Sequence, residues 1–544
     1  MSLNLEPELD GFAWWQRGVV YQIYPRSFQD SNGDGVGDLA GITRRLDYLR
    51  WLGVDAIWLS PVYTSPMADF GYDVSDYTGI DPLFGTLGDF DHLLAETHRR
   101  GMKLIMDFVP NHTSDQHPWF LEARASKDSP KRDWYIWRDP MPSGAPPNNW
   151  LSEFGGAAWT LDDITGQYYY HAYLPQQPDL NWRNPAVRDA VHTALRFWLD
   201  RGVDGFRLDT IHHLFEDEAF RDNPPNPDFR VGLAPTLAFT RTHQVDLPEV
   251  QDVIAGFRRI TDAYGARVLV GEAYLPLEKV MAYYGTPERP GVHLPFNFHL
   301  IGAAWKASFI ADLIAHYDGL LPPGRWPNWV LGNHDRARVA SRVEPANAPL
   351  AAMLLLTLRG TPTLYYGDEL GLTNVDIPPE RVRDPWELRV PGFGFGRDPV
   401  RTPMPWDNTR HGGFTNSEPW LPLNSDIGAK NVETQRGDPK SLLRLVRDLI
   451  ALRRRTPALS VGSYGIIESR GDVLVYERLW GGQRLTVFLN FAATTVYTPL
   501  AQGAVLLSTA GARAGESVNN LLCLRPHEGL VVETPQHAES DETP

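Results

Sequence analysis

Apolar residues recur along the chain in two rhythms that take turns. Short runs such as Gly18-Val19-Val20-Tyr21-Gln22-Ile23-Tyr24, Ala56-Ile57-Trp58-Leu59 and Lys103-Leu104-Ile105-Met106-Asp107-Phe108-Val109 are nearly all apolar, as strands buried on both faces of a parallel sheet must be. Between them, Ile42 to Leu52 and Phe90 to Arg100 carry apolar residues at helical spacing. From Asn111 to about Pro175 the rhythm gives way to a stretch rich in Pro, Gly, Trp and Asp. That is too long for a simple loop and predicts a small inserted domain. The alternation then resumes with a helix from Ala186 to Arg201, a strand from Gly205 to Thr210 and a helix from Pro248 to Tyr264. Further strands are predicted at Arg267 to Glu272, Leu294 to Leu300, Trp326 to Gly332 and Thr363 to Tyr366. Strands separated by helices, eight in all, predict an α/β fold of the (β/α)8 TIM-barrel type. A helix from Ser441 to Arg455 closes it, and from about Ser463 the pattern turns to period two, as in Arg484 to Leu489. The predicted division is a barrel in 1–111 and 175–462, an insertion in 112–174 after strand three, and a C-terminal all-β sandwich in 463–544.

Composition narrows the class. The chain has 544 residues, 42% of them hydrophobic, and a formal net charge of -16, which argues against nucleic acid or an anionic membrane as partner and favours a neutral small substrate. A single cysteine, Cys523, excludes an intramolecular disulfide. The first residues, Met1 to Glu8, carry acids where a secretory signal has basic residues, and no run is long enough for a membrane helix. The expectation is a cytoplasmic protein, monomer or homo-oligomer. The 18 tryptophans suit a sugar cleft and suit a core equally. Those of the insertion, with Trp134, Trp137 and Trp150 beside Tyr135, are expected to pack its core. The last residues, His537 to Pro544, read as disordered.

Barrel enzymes carry their chemistry at the C-terminal ends of the strands. There the chain places Asp107 and Asn111-His112 on strand three, Arg207-Leu208-Asp209 on strand four, Glu272 on strand five and Asn333-His334-Asp335 on strand seven. Arg207 and Asp209 share one strand face, which alone is an ordinary ion pair. Asp107 and Asn111 are expected to anchor loops. The carboxylates Asp209, Glu272 and Asp335 converge on one cleft, as glycoside cleavage requires: a nucleophile, a protonated acid and a stabiliser of positive charge. Proximity to Asp209 is expected to raise the pKa of Glu272 and keep it protonated.

In order along the chain, Asp107-Phe108-Val109-Pro110-Asn111-His112, Phe206-Arg207-Leu208-Asp209, Gly271-Glu272 and Asn333-His334-Asp335 resemble the four signature regions of the α-amylase family, glycoside hydrolase family 13. Gln177-Pro178-Asp179-Leu180-Asn181 resembles the fifth region of its oligo-1,6-glucosidase and α-glucosidase branch. The resemblance implies Asp209 as nucleophile, Glu272 as acid/base and Asp335 as the carboxylate that binds and distorts the sugar. It implies His112 and His334 on the glucose hydroxyls and Arg207 beside the nucleophile. Asp69 of Asp69-Phe70-Gly71-Tyr72-Asp73 is implied to bind the terminal 4-hydroxyl with an arginine, Arg397 or alternatively Arg401, while Tyr72 stacks on the ring. Thr210, after the nucleophile, resembles branch members preferring α-1,4 bonds, where a valine resembles those preferring α-1,6. The activity implied is exo-acting, retaining α-glucosidase, acting on maltose and short maltooligosaccharides and conceivably sucrose, with some transglucosylation and no organic cofactor. Oligo-1,6-glucosidase, sucrose isomerase and trehalose synthase are the rivals within the family. A catalytically inactive binding subunit and a metal-dependent barrel hydrolase are the rivals outside it; the intact triad opposes the first, and the lack of His-x-His on strand one opposes the second.

The loop Asp30-Ser31-Asn32-Gly33-Asp34-Gly35-Val36-Gly37-Asp38 has oxygen side chains at alternate positions and a glycine at the sixth, like the front of an EF-hand loop. Asp30, Asn32, Asp34, Asp38 and the Val36 carbonyl are the expected ligands of a structural Ca²⁺ or Mg²⁺. Gly41 stands at position twelve, where an EF-hand has its bidentate glutamate, so a sensor site is excluded; the resembled family has a similar structural loop.

Overall fold

A computed structural model describes residues 11–511 and 513–535; the N-terminal residues 1–10 and the predicted disordered tail 537–544 lie outside them. Eight strands make one parallel sheet: β1 (Val20–Ile23), β2 (Ala56–Leu59), β3 (Lys103–Phe108), β4 (Gly205–Leu208), β5 (Val268–Gly271), β6 (Leu294–Pro295), β7 (Asn328–Val330) and β8 (Thr361–Tyr365). They lie in the order β6-β5-β4-β3-β2-β1-β8-β7. The sheet curls into a near-closed barrel.

Side-chain alternation sorts the strands into two cores. Tyr21, Ile23, Ile57, Leu59, Phe206 and Leu208 pack outward under the helices. Val20, Trp58, Ile105, Val268, Val270 and Val330 fill the interior. Burial on both faces explains why these strands read as apolar runs. Among the helices that cover the barrel are α1 (Leu39–Leu52), α2 (Leu87–Arg99), α3 (Pro185–Asp200), α4 (Val250–Asp262), α5 (Ala307–Leu320), α6 (Ala348–Thr357) and α7 (Leu442–Arg455). Their starts are chemically marked: Asp38, Thr86, Asn184 and Ser441 each accept a backbone N–H as N-cap. Gly53, at φ 99°, ends α1 in left-handed backbone.

The sixth strand departs from expectation. Instead of running from Leu294 to Leu300, it ends after Pro295, and a helical turn, His299–Gly302, follows. Pro295 has no N–H to continue the ladder, and the Asn297 side chain accepts the His299 N–H at 3.1 Å, turning the chain.

Between β3 and α3 the insertion folds as a short helix, Pro118–Arg124, and a three-stranded antiparallel sheet. Its aromatics build its core, as expected: Trp150 is fully buried with Trp159 and Tyr170, Trp137 stacks on Phe120 at 5.6 Å, and Trp134 meets Trp119 edge-on at 5.0 Å. Six antiparallel strands end the chain: β9 (Ser463–Arg470), β10 (Val473–Trp480), β11 (Gln483–Asn490), β12 (Val496–Ser508), β13 (Ser517–Leu524) and β14 (Gly529–Glu533), in the order β9-β10-β11-β14-β12-β13. One face, with Leu474, Tyr476, Leu485 and Val487, joins the barrel core. The other, with Val473, Phe488, Leu522, Leu524 and Leu530, forms a buried cluster of the sheet's own residues, so the C-terminal unit is one six-stranded antiparallel sheet.

Candidate active site

The floor of the site is one buried guanidinium. Pairing of β3 with β4 sets Asp107 opposite Arg207, and pairing of β4 with β5 sets Leu208 opposite Gly271, so that Asp209 and Glu272 emerge together. Arg207, 2% exposed, reaches Asp107 and Asp209 from Nη1 at 2.6 Å each and Glu272 from Nη2 at 2.6 Å. Thr210 turns the chain away from β4 with φ 41° and ψ 42°, left-handed backbone that is unusual for a β-branched residue. In that position its N–H donates to Glu272 Oε2 at 3.0 Å and its hydroxyl to Asp209 Oδ2 at 3.2 Å. The strained turn thus holds both carboxylates.

Three carboxylates around one cation leave excess negative charge in a dry place. Burial pushes Asp209 well above the usual carboxylate range; Arg207 opposes this, and Glu272 and Asp107 add to it. Burial raises Asp107 to about 6 in spite of Arg207. A proton retained on the Asp209–Glu272 pair relieves the cluster. Burial drives Asp209 upward, a shift the sequence did not predict.

The wall around Asp335 has the opposite character. Burial opposes its ionisation, yet His334, Arg401 and Arg397 hold it well below the usual range. Burial keeps the His334 imidazole uncharged, so the two arginines are the partners that matter, with Arg401 Nη2 at 3.0 Å and Arg397 Nη1 at 3.4 Å from Asp335 Oδ1. His334 is fixed through Nδ1 by Gln22 and through Nε2 by the Tyr72 hydroxyl, at 2.8 Å each. Its ring lies parallel to that of Tyr72, within 3°. The Tyr72 hydroxyl donates in turn to Asp107 Oδ2 at 3.1 Å.

Asp69 and Arg397 meet at 2.6 Å, which decides between the two candidate arginines: Arg397 pairs with Asp69, and Arg401 with Asp335. Gln177 bridges Asp69 at 3.3 Å and His112 at 3.0 Å. Burial drives His112 down to about 3, so its imidazole is neutral. Asp69, Tyr72, His112, Gln177 and Arg397, all buried, line the inner part of a cavity of about 600 Å³. Its outer part is bounded by Phe154 of the insertion, the 240–248 loop after β4, Tyr274 and Arg336. Glu153 and Arg241 form an ion pair from the insertion to that loop. All ten residues expected at the catalytic and sugar-binding positions therefore line or floor one cavity.

A family model described as "Alpha amylase, catalytic domain" matches residues 22–462. The chain belongs to the α-amylase family. A probable α-glucosidase of Rhizobium meliloti (strain 1021) is 43% identical over 508 residues, 90% of this chain and 91% of that one. An oligo-1,6-glucosidase of Parageobacillus thermoglucosidasius is 40% identical over 519 residues, covering 89% and 91%. Among solved structures, the α-glucosyl transfer enzyme XgtA superposes with a TM-score of 0.90 at 41% identity, over 96% of this chain and 99% of the other.

In this α-amylase-family chain, four buried polar residues take a part the sequence did not assign. Asp107, expected to anchor a loop, is instead a direct partner of Arg207, and Gln22 orients His334. Gln177 joins Asp69 to His112, and Asp384 grips Arg397 at 2.6 Å. Position at a strand end was a usable signal for Asp107; Asp384 sits in an irregular loop and had none.

The 30–38 loop folds on itself. Asp30 accepts the N–H groups of Asn32, Gly33 and Gly35 and the Thr415 hydroxyl, while Asn32 and Asp34 cap the next N–H groups along. Asp38 has a duty not foreseen: it caps α1 through the Gly41 N–H at 2.6 Å and holds the Ser31 N–H at 2.8 Å. Among the described residues no three His, Cys, Asp or Glu side chains cluster so as to hold a metal ion. Cation ligation here would draw on second lone pairs, the Asn32 oxygen and the Val36 carbonyl.

No helix among the described residues is long and apolar enough to cross a membrane.

Proposed function

We propose that this chain is an exo-acting, retaining α-glucosidase that removes the terminal non-reducing glucose from maltose and short maltooligosaccharides. The observation that carries the reading is the buried Asp69–Arg397 bridge at 2.6 Å. We read this buried pair as the wall behind the terminal sugar, where a glucan chain does not continue. The charged pair supplies donors and an acceptor for the 4-hydroxyl of the sugar bound against it, and Tyr72 supplies the stacking face.

The catalytic cycle follows from the floor. Asp209 attacks the anomeric carbon, the bond to the leaving oxygen breaks, and Glu272 delivers the proton to that oxygen. Water then attacks the glucosyl ester, giving its proton to Glu272 and releasing Asp209 with α-configured glucose. Both carboxyls touch one guanidinium, at 2.6 Å each. That closeness favours double displacement, since an inverting pair needs space for a water between sugar and base. Asp335, ionised between two arginines, stabilises the oxocarbenium-like transition state and binds sugar hydroxyls.

Thr210 supports α-1,4 preference, because its side chain lines the cavity beside Asp209 and carries a hydroxyl where a valine has a methyl. The test is a substrate panel. Maltose is expected to be cleaved faster than isomaltose, with Thr210→Val moving the ratio toward isomaltose. Faster release from isomaltose by the unmodified chain would overturn the linkage assignment, and β-glucose as first product would overturn the mechanism. The single cysteine supports a cytoplasmic location. The 30–38 loop is proposed to take a structural Ca²⁺ or Mg²⁺ through Asp30, Asn32, Asp34, Asp38 and the Val36 carbonyl, outside the chemistry.

A further inference from the structure

Arg397 is offered three carboxylates at once. Its Nη2 sits 2.6 Å from Asp69, its Nη1 3.4 Å from Asp335, and its Nε and Nη2 lie 3.0 and 2.6 Å from Asp384 Oδ1. Asp335 is the more exposed of these carboxylates, and Arg401 already holds it at 3.0 Å. A free guanidinium between such partners has no reason to stay on Asp69. Asp384 contributes the closest additional contacts that hold it there.

Asp384 is built for that purpose. It is fully buried and does not line the cavity, so it touches no sugar. One carboxylate takes both the side chain of Arg397 and its backbone N–H, the latter at 2.6 Å, across 13 residues of chain. The same carboxylate caps the helical turn Pro385–Arg389 through the Trp386 N–H. Asp398, next to Arg397, returns the connection by accepting the N–H groups of Arg383 and Asp384 at 2.6 and 2.9 Å. The two ends of the 384–397 loop are thereby tied together. Trp386, inside the loop, stacks on Phe154 of the insertion at 5.1 Å, and Arg397 lies over the same Phe154 ring at 4.9 Å.

We propose that Asp384 is a positioning residue for terminal-sugar recognition: it clamps Arg397 onto Asp69, with Asp335 at a longer 3.4 Å, so that the Asp69–Arg397 pair meets the 4-hydroxyl. The proposal rests on the exo-acting reading given above.

The test compares 4-nitrophenyl α-glucoside with its 4-deoxy analogue in the intact protein and in Asp384→Asn, which keeps the helix cap and removes the charge. Asp384→Ser is the second variant, also cap-preserving. The unmodified enzyme is expected to favour the 4-hydroxy substrate by about 10- to 100-fold in kcat/KM, the range for charge-assisted hydrogen bonds. In either variant that preference is expected to fall to about twofold, mostly through KM, with kcat on the deoxy substrate retained. Equal losses on both substrates, with the preference intact, would make Asp384 a merely structural group and overturn the proposal. Absence of any preference in the unmodified enzyme would overturn the exo-acting reading itself, and the clamp with it.

Discussion

Asp107, Asp209 and Glu272 share the two Nη nitrogens of Arg207, so the charge of each is felt by the others. The pH profile of kcat/KM is therefore expected to be bell-shaped, with limbs that belong to the cluster and not to single residues. Asp107 is one of the charges that raise Asp209. Removing it in Asp107→Asn makes deprotonation of the pair easier, and the alkaline limb is expected to move to lower pH by on the order of one unit. An unmoved limb would show that Asp107 is not coupled to the pair. Glu272→Gln is expected to lower kcat by about 10²- to 10⁴-fold on maltose, and less on an aryl glucoside whose leaving group needs no proton. At this scale the sequence was legible where a residue type is bound to a strand end, as for Asp209, Glu272 and Asp335. It was not legible for the left-handed backbone by which Thr210 holds both carboxylates, or for Asp384, a loop residue with no motif around it.

Elements were legible for a different reason. A strand buried on both faces has to be apolar throughout, and this marked β2 and β3 nearly to the residue. The sixth strand was overcalled because Phe296 and Phe298 continue the apolar run, while the features that end it, Pro295 and the Asn297 side chain, act through hydrogen bonds. The 30–38 loop shows two functions overlaid on one motif, and they can be separated. Asp38→Ala removes the α1 cap and is expected to cost about 1 kcal/mol in urea unfolding without a cation, and more when one is supplied. Asp34→Ala is expected to matter only when Ca²⁺ or Mg²⁺ is supplied. If the loop takes the ion, a chelator lowers the Tm of the unmodified protein and leaves the activity of the folded fraction unchanged. A Tm indifferent to both chelator and added cation would remove the cation from the account.

For the molecule as a whole, barrel and C-terminal sheet share a core, and just before that seam one buried cation ties the last segments of the barrel together. Arg453, 1% exposed near the end of α7, donates to the carbonyls of Leu356, Leu358, Gly360 and Ser460. Arg453→Leu strands all four acceptors in a dry interior and is expected to destabilise the protein by at least about 3 kcal/mol in a urea titration. Loss smaller than 1 kcal/mol would mean that water reaches the guanidinium. The order of domains was legible because the rhythm of apolar residues changes at each border; their closure on one another was not, since it depends on side chains such as Arg478, which a pattern reads as surface but which is buried on β10 and donates to the carbonyls of Thr357 and Gly462. The wall proposed for Asp69 and Arg397 has a consequence for polymers. An enzyme that can only admit a terminus counts ends and not mass, so at equal weight a short or heavily branched glucan presents it with more substrate than a long linear one, and its rate on such mixtures follows the number of molecules' tips.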